Sequence, residues 1–109
     1  MNFFTTEAVG GLAALPGGLS LPVAATGPVT LGIRPQHLRL TDDQSAIPAQ
    51  ITLVEALGSE TVLHATAEGG APIVAVLPGQ PSLARGQAIR LAFDPAAVHA
   101  FDAQGQRIA

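Results

Sequence analysis

Arg34 and His37 bracket a proline in the stretch LGIRPQHLRL, residues 31–40. A guanidinium offers a planar fork of donors suited to carboxylate or phosphate. An imidazole adds a donor whose charge changes near neutral pH. Together they are candidate ligands for an anion. The competing reading is structural: Arg34 closes the end of a barrel while Pro35 fixes a corner between two strands. The structural reading is preferred. Ser59 and Glu60 form the next candidate pair, after Leu57 and Gly58. A serine at a bend beside a carboxylate raises the question of a nucleophile. No G-x-S-x-G elbow surrounds it, and nothing in the sequence assigns it a histidine base. A turn or ligand-contact role is expected for Ser59 and Glu60, and catalysis is not.

The remaining histidines, His64 and His99, stand apart from one another and from paired carboxylates, so no metal-ligand spacing is present. His64 reads as a packed or surface strand residue on the face of Val62 and Thr66. His99 follows a predicted helical turn, where it would bond the last carbonyls. Cysteine is absent, which excludes disulfides and thiolate metal sites. Lysine is absent too: the basic side chains are Arg34, Arg39, Arg85, Arg90 and Arg107. A phosphate loop needs its lysine, and so does Schiff-base chemistry, so neither mechanism belongs to these residues. With a formal net charge of −3, four phenylalanines and no tryptophan or tyrosine, the chain lacks the basic, aromatic surface that binds single-stranded nucleic acid.

The elements that position these residues read as strands. The 109 residues are 48% hydrophobic and 12% charged, with twelve glycines and nine prolines. That is material for one domain with a single core and many turns. No apolar run approaches the ~20 residues that span a bilayer, and the N-terminus has no basic leader region. FFTTEAV is β-rich, and GGLAALPGGLSLPVA forms a hairpin turning at Pro16, Gly17 and Gly18. Gly27-Pro28 marks a break. Val29, Leu31 and Ile33 then share one face. IPAQITLVEAL is the longest strand, with Ile47, Ile51 and Leu53 on one face and Gln50 and Thr52 on the other. Gly58 places a bulge or bend at its end. ETVLHATA and PIVAVL pair through a glycine turn at Gly69-Gly70. Ile89, Leu91 and Phe93 face inward and Arg90 outward. Asp94 before Pro95 reads as an N-cap with proline at the first helical position, giving one short helical turn near 95–98. HAF and QRIA close the chain as strands. About eight to ten short strands with no sustained helical period predict an all-β fold, a small antiparallel barrel or sandwich.

Several stretches resemble one family. LGIRPQHL is similar to the GIRPEHL-type signature of a C-terminal domain in ATPase subunits of sugar-type ABC importers. VEALGSETVLHA resembles its VE-x-LGSET stretch, LAFDPAAVHAFDAQGQRI its closing segment, and MNFF the start of that domain. The four occur in the family's order and cover nearly the whole chain. The domain is TOBE, a transport-associated oligonucleotide-binding-like (OB-like) barrel. The resemblance implies one TOBE domain over 1–109, without catalytic residues. Gly32, Pro35, Gly58, Asp94 and Pro95 fall on the family's structural signature, and Arg34, His37, Ser59 and Glu60 are where a small oxyanion or sugar phosphate would sit.

The resemblance also implies partners. They are a second copy of the subunit, an ATPase domain in cis, the transporter's membrane subunits reached indirectly, and in some members a regulatory protein. ATP and Mg²⁺ belong to that ATPase domain, whose motifs these residues lack, and this chain is expected to carry no cofactor or metal. A parent subunit would lie in the cytoplasm at the inner face of the cell membrane. Met1 is then either an internal position of a longer subunit or the start of a free-standing ligand-binding domain. Two departures stand out: Gln36 replaces a glutamate common in relatives, and the segment between MNFF and LGIRP is short, so a strand or two is trimmed.

Overall fold

The computed structural model describes residues 1–108. Its strands are β1 (Asn2–Val9), β2 (Leu12–Ala14), β3 (Ser20–Pro22), β4 (Gly27–Ile33), β5 (Arg39–Thr41), β6 (Ile47–Ala56), β7 (Glu60–Ala67), β8 (Pro72–Pro78), β9 (Ala88–Ala92), β10 (His99–Phe101) and β11 (Arg107–Ile108). Two antiparallel sheets result, ordered β11-β10-β4-β1-β2-β3 and β5-β9-β6-β7-β8. The C-terminal residue of the predicted QRIA strand, Ala109, lies outside the described residues.

Period-two alternation sets the faces. Phe4, Ala8, Val29, Leu31 and Ile33 point from the first sheet into one core, and Ile47, Ile51, Leu63, Ile73 and Leu91 meet them from the second. Each such aliphatic side chain withdrawn from water stabilises the fold by about 1.5–3 kcal/mol. With only 109 residues to enclose a core, this shared layer is what makes both sheets one unit.

The predicted hairpins form, and four features differ from expectation. The strand count is eleven, because very short edge strands such as β5 and β11 pair as well. Gly27-Pro28 is no break: Gly27 and Pro28 pair with Ala8 and Glu7 and begin β4. Pro28 is tolerated because β10 covers β4 only over Thr30–Gly32, leaving one side of β4 open at the proline. An unforeseen bulge falls inside β6 at Thr52, while Gly58 sits at the bend expected of it. Ile51 opposes Ala65 while Leu53 opposes His64, so Thr52 has no partner. One extra residue reverses the alternation, which turns Leu53 outward, 49% exposed, instead of joining Ile47 and Ile51. Gly58 sits in the turn between β6 and β7 with a φ of +87°. Finally, the helical turn at Pro95–Ala97 is joined by two more 3-10 turns, at Pro16–Gly18 and Pro35–His37, each opening on a proline.

Among the described residues no backbone ladder joins the two sheets. Asn2 bridges them with its side chain. Its amide donates to the Val74 carbonyl at 2.8 Å, and its carbonyl oxygen accepts from the Val74 N–H at 2.7 Å. A further contact reaches the Ile33 carbonyl at 3.2 Å. One buried amide therefore satisfies the free edge of β8 as a neighbouring strand would.

Candidate functional site

The Arg-Pro corner is a rigid turn. Pro35 opens the 3-10 turn, His37 N–H donates to the Arg34 carbonyl at 2.9 Å, and Leu38 N–H to the Pro35 carbonyl at 3.4 Å. Ile33 before the turn and Leu38 after it are both buried, so the corner is pinned to the core at each end. The turn packs against β8. Arg34 and His37 are left exposed at its rim.

Strand register places His99 and Arg107 on one face beside this corner. His99 opposes Gly32 across β4 and β10, and Arg107 opposes Phe101 across β10 and β11. Leu31 and Ile33 face the core, so Gly32, His99, Phe101 and Arg107 belong to the outer face, and Arg34 continues it past Gly32. His99 is partly buried. Its pKa lies below the ordinary imidazole value of 6.5, first because it is partly desolvated and then because Arg107, Arg34 and His37 all act on it. It begins β10 and does not cap the Pro95 turn; that turn is closed by backbone, from Val98 N–H to the Pro95 carbonyl.

Gly32 has a reason of its own here. A Cβ at this position would come within 2.5 Å of the Met1 sulfur and 3.3 Å of the Phe3 ring, which lie across it. Asp94 plays the expected cap, its carboxylate accepting from Ala96 N–H at 3.0 Å with Pro95 next in line.

Ser59 and Glu60 are not part of the corner. They occupy the tip of the β6–β7 hairpin on the other sheet, where Leu57 N–H donates to the Glu60 carbonyl and Gly79 N–H to the Ser59 carbonyl. His64 pairs with Glu55 at 2.6 Å on that hairpin's outer face. A groove of about 610 Å³ runs beside β9, lined by Leu40, Pro48, Leu83, Ile89 and Arg90. The Arg90 guanidinium there is already committed to the carbonyls of Gln44 and Ala46 and the side chain of Gln44. Among the described residues no three of His, Asp and Glu converge as a metal site would require.

Sequence reasoning missed Asn2 and the contribution of His99 and Arg107. Asn2 carries a legible signal: it shares the inward parity of Phe4 and Ala8, and a polar residue at such a position needs a buried partner. The influence of both Arg107 and Arg34 on His99 depends on strand order, which local pattern does not encode.

Compared with known proteins, residues 31–101 match the TOBE domain family. The chain belongs to that family. The all-β architecture is therefore the OB-like one its signature implied, with Gly32, Pro35, Gly58, Asp94 and Pro95 of this TOBE domain all at turns or close approaches. Curated relatives extend the likeness over β1–β3. The sn-glycerol-3-phosphate import ATP-binding protein UgpC of Paracoccus denitrificans is 42% identical, with 99% of this chain and 32% of the relative covered. UgpC of Ruegeria sp. is 38% identical, with 100% and 32% covered. The sulfoquinovosyl glycerol transport ATP-binding protein SmoE of Agrobacterium fabrum is 36% identical, with 98% and 33% covered. The chain thus spans about a third of the length of these relatives.

Proposed function

We propose that this TOBE domain is the non-catalytic accessory module of an ABC importer's ATP-binding subunit, supporting assembly and regulation of ATP-driven uptake of a sugar or glycerol-phosphate-like solute. The observation that carries this reading is alignment of nearly the whole chain with a third of import ATP-binding proteins. The domain works by association, through an ATPase domain in cis, a second copy of the subunit, and indirectly the membrane subunits, with a regulatory protein as a further partner. ATP and Mg²⁺ serve the ATPase domain. The subunit lies in the cytoplasm at the inner face of the membrane. No helix among the described residues is long and apolar enough to cross one.

Self-association is expected where apolar side chains are displayed. Val9 and Leu12 oppose each other beside the Gly10-Gly11 turn, 72% and 50% exposed. Both glycines have positive φ, as a two-residue hairpin turn with this twist requires. The turn thus holds a rigid apolar tip away from the core.

An antibody against the domain, applied to separated soluble and membrane fractions of native cells, tests the reading. A band several-fold heavier than 11.0 kDa, partly with the membranes, is expected. A soluble band at 11.0 kDa would overturn it in favour of a free-standing ligand-binding domain.

A further inference from the structure

We infer that the open seam between β3 and β11 is a binding cleft for a small amphiphile with one carboxylate and an unbranched hydrocarbon chain, the alkanoate class. The inference goes beyond the accessory role and does not depend on it.

β3 and β11 are the two ends of the six-stranded sheet, and residues of both line one cleft of about 490 Å³. Leu31 floors it, Leu21 and Val23 form one wall, and Val98, Ala100 and Ile108 form the other. That volume lies within the range of small-molecule sites. Among the described residues no ladder joins the two ends. Pro22 explains why the seam stays open. Val23 N–H is spent on the Gly11 carbonyl, so by alternation it is Pro22 whose backbone faces the seam. Proline has no N–H to give a neighbouring strand. An added strand is therefore a poor filler for this cleft.

The chemistry of the lining selects the ligand. The wall residues have no polar side chain, and their backbone groups are already used. Val98 N–H donates to the Pro95 carbonyl, and Ala96 N–H to the Asp94 carboxylate. Leu21, Leu31, Ala100 and Ile108 sit within ladders. A sugar or a peptide would carry hydroxyls or amides into the cleft and leave them without partners, which opposes binding. A hydrocarbon chain has none to lose. The exception in the lining is Arg107, its one charged residue, exposed on the edge strand β11 and so at the mouth. Among the described residues Arg107 enters no ion pair, and Asp102 nearby in sequence already accepts from Gln104 and Gln106 N–H. One guanidinium at the mouth of an apolar cleft suits one carboxylate on an apolar tail.

Methyl NMR signals supply the assay. Hexanoate, octanoate and decanoate are titrated separately, below the concentrations at which they form micelles, alongside octanol and octyltrimethylammonium. The expected result is saturable movement of the Leu21, Val23, Leu31, Val98 and Ile108 methyls, with those of Val9 and Leu53 unmoved. Affinity should rise about fourfold per added methylene, as burial of that group dictates. Octanol should bind about tenfold more weakly than octanoate, and the cation not at all. Arg107→Gln should weaken octanoate binding about tenfold and erase its advantage over octanol. Ala96→Phe, at an exposed position of the lining, should block the cleft. Unchanged thermal midpoints verify that both variants fold. Where one melts early, the comparison of octanoate with octanol on the unaltered chain decides alone. Equal movement at Val9 and Leu53, no dependence on chain length, equal binding of octanol, or full binding by folded Arg107→Gln would overturn the assignment. Saturation by N-acetyl-leucine, with no response to any alkanoate, would mean that the cleft reads the C-terminus of a protein and the alkanoate site is wrong.

Discussion

Asn2 does with one amide what a strand does with its backbone, and the fold depends on it. Replacing it with alanine leaves the Val74 N–H and carbonyl at the edge of β8 without their partner, close to the core. A buried polar group stranded in this way costs about 1–3 kcal/mol. Asn2→Ala should lower the unfolding free energy read from a urea titration by that amount, and Asn2→Asp should do no better, since a carboxylate would face the carbonyls of Ile33 and Val74 with no proton to give. His99 makes a different prediction. The unfolded chain takes up its proton at the ordinary 6.5, whereas the folded chain holds that proton more weakly. The unfolded state thus binds more protons within this window. Stability is fully present above 6.5 and declines as pH falls from there toward the lower folded value. Unfolding measured between about pH 8 and pH 5 should show this decline, and His99→Gln should flatten it.

At the scale of elements, most of the strand plan was legible because alternation is a direct consequence of the pleat. Val29, Leu31 and Ile33 could be assigned to one face from their spacing alone, and Asp94-Pro95 announced its turn because capping chemistry is local. The Thr52 bulge left no such mark. Its surroundings are ordinary strand formers, and only the partner strand shows that one residue is unmatched. Gly58 was legible as a bend and is one, whereas a glycine specifies freedom of φ and not which residue elsewhere is extra. Arg34 and His37 were visible as a pair. His99 and Arg107 joined them only once β10 was known to lie beside β4. At the β6–β7 turn, Gly58 has a φ of +87° and open space where a Cβ would go. Strain without a clash is therefore the whole cost of Gly58→Ala, about 1–2 kcal/mol. A urea titration should find that loss with no change in the m-value, whereas a larger loss would mean that packing around Leu57 is disturbed as well.

At the scale of the whole molecule, the domain measures 41 × 23 × 20 Å, so much of both outer sheet faces is open to solvent. Apolar exposure there is concentrated at hairpin tips and the strand start: Val9 and Leu12 at one tip, Leu53 and Leu57 near another, Met1 and Phe3 beside the corner. Stable pairs bury about 1,200–2,000 Å² in total. A single tip carrying two aliphatic side chains supplies only a fraction of that, so the domain alone should be monomeric or weakly dimeric, with the missing area coming from the rest of a longer subunit. Sedimentation velocity across a concentration series should show a fast monomer–dimer exchange. Val9→Lys combined with Leu12→Glu should abolish it while leaving the unfolding midpoint nearly unchanged, because both side chains point away from the core and the opposed charges attract. A tight, concentration-independent tetramer would contradict the accessory role. A dimer unaffected by the double substitution would keep that role but move the contact to the other exposed apolar pair, Met1 and Phe3.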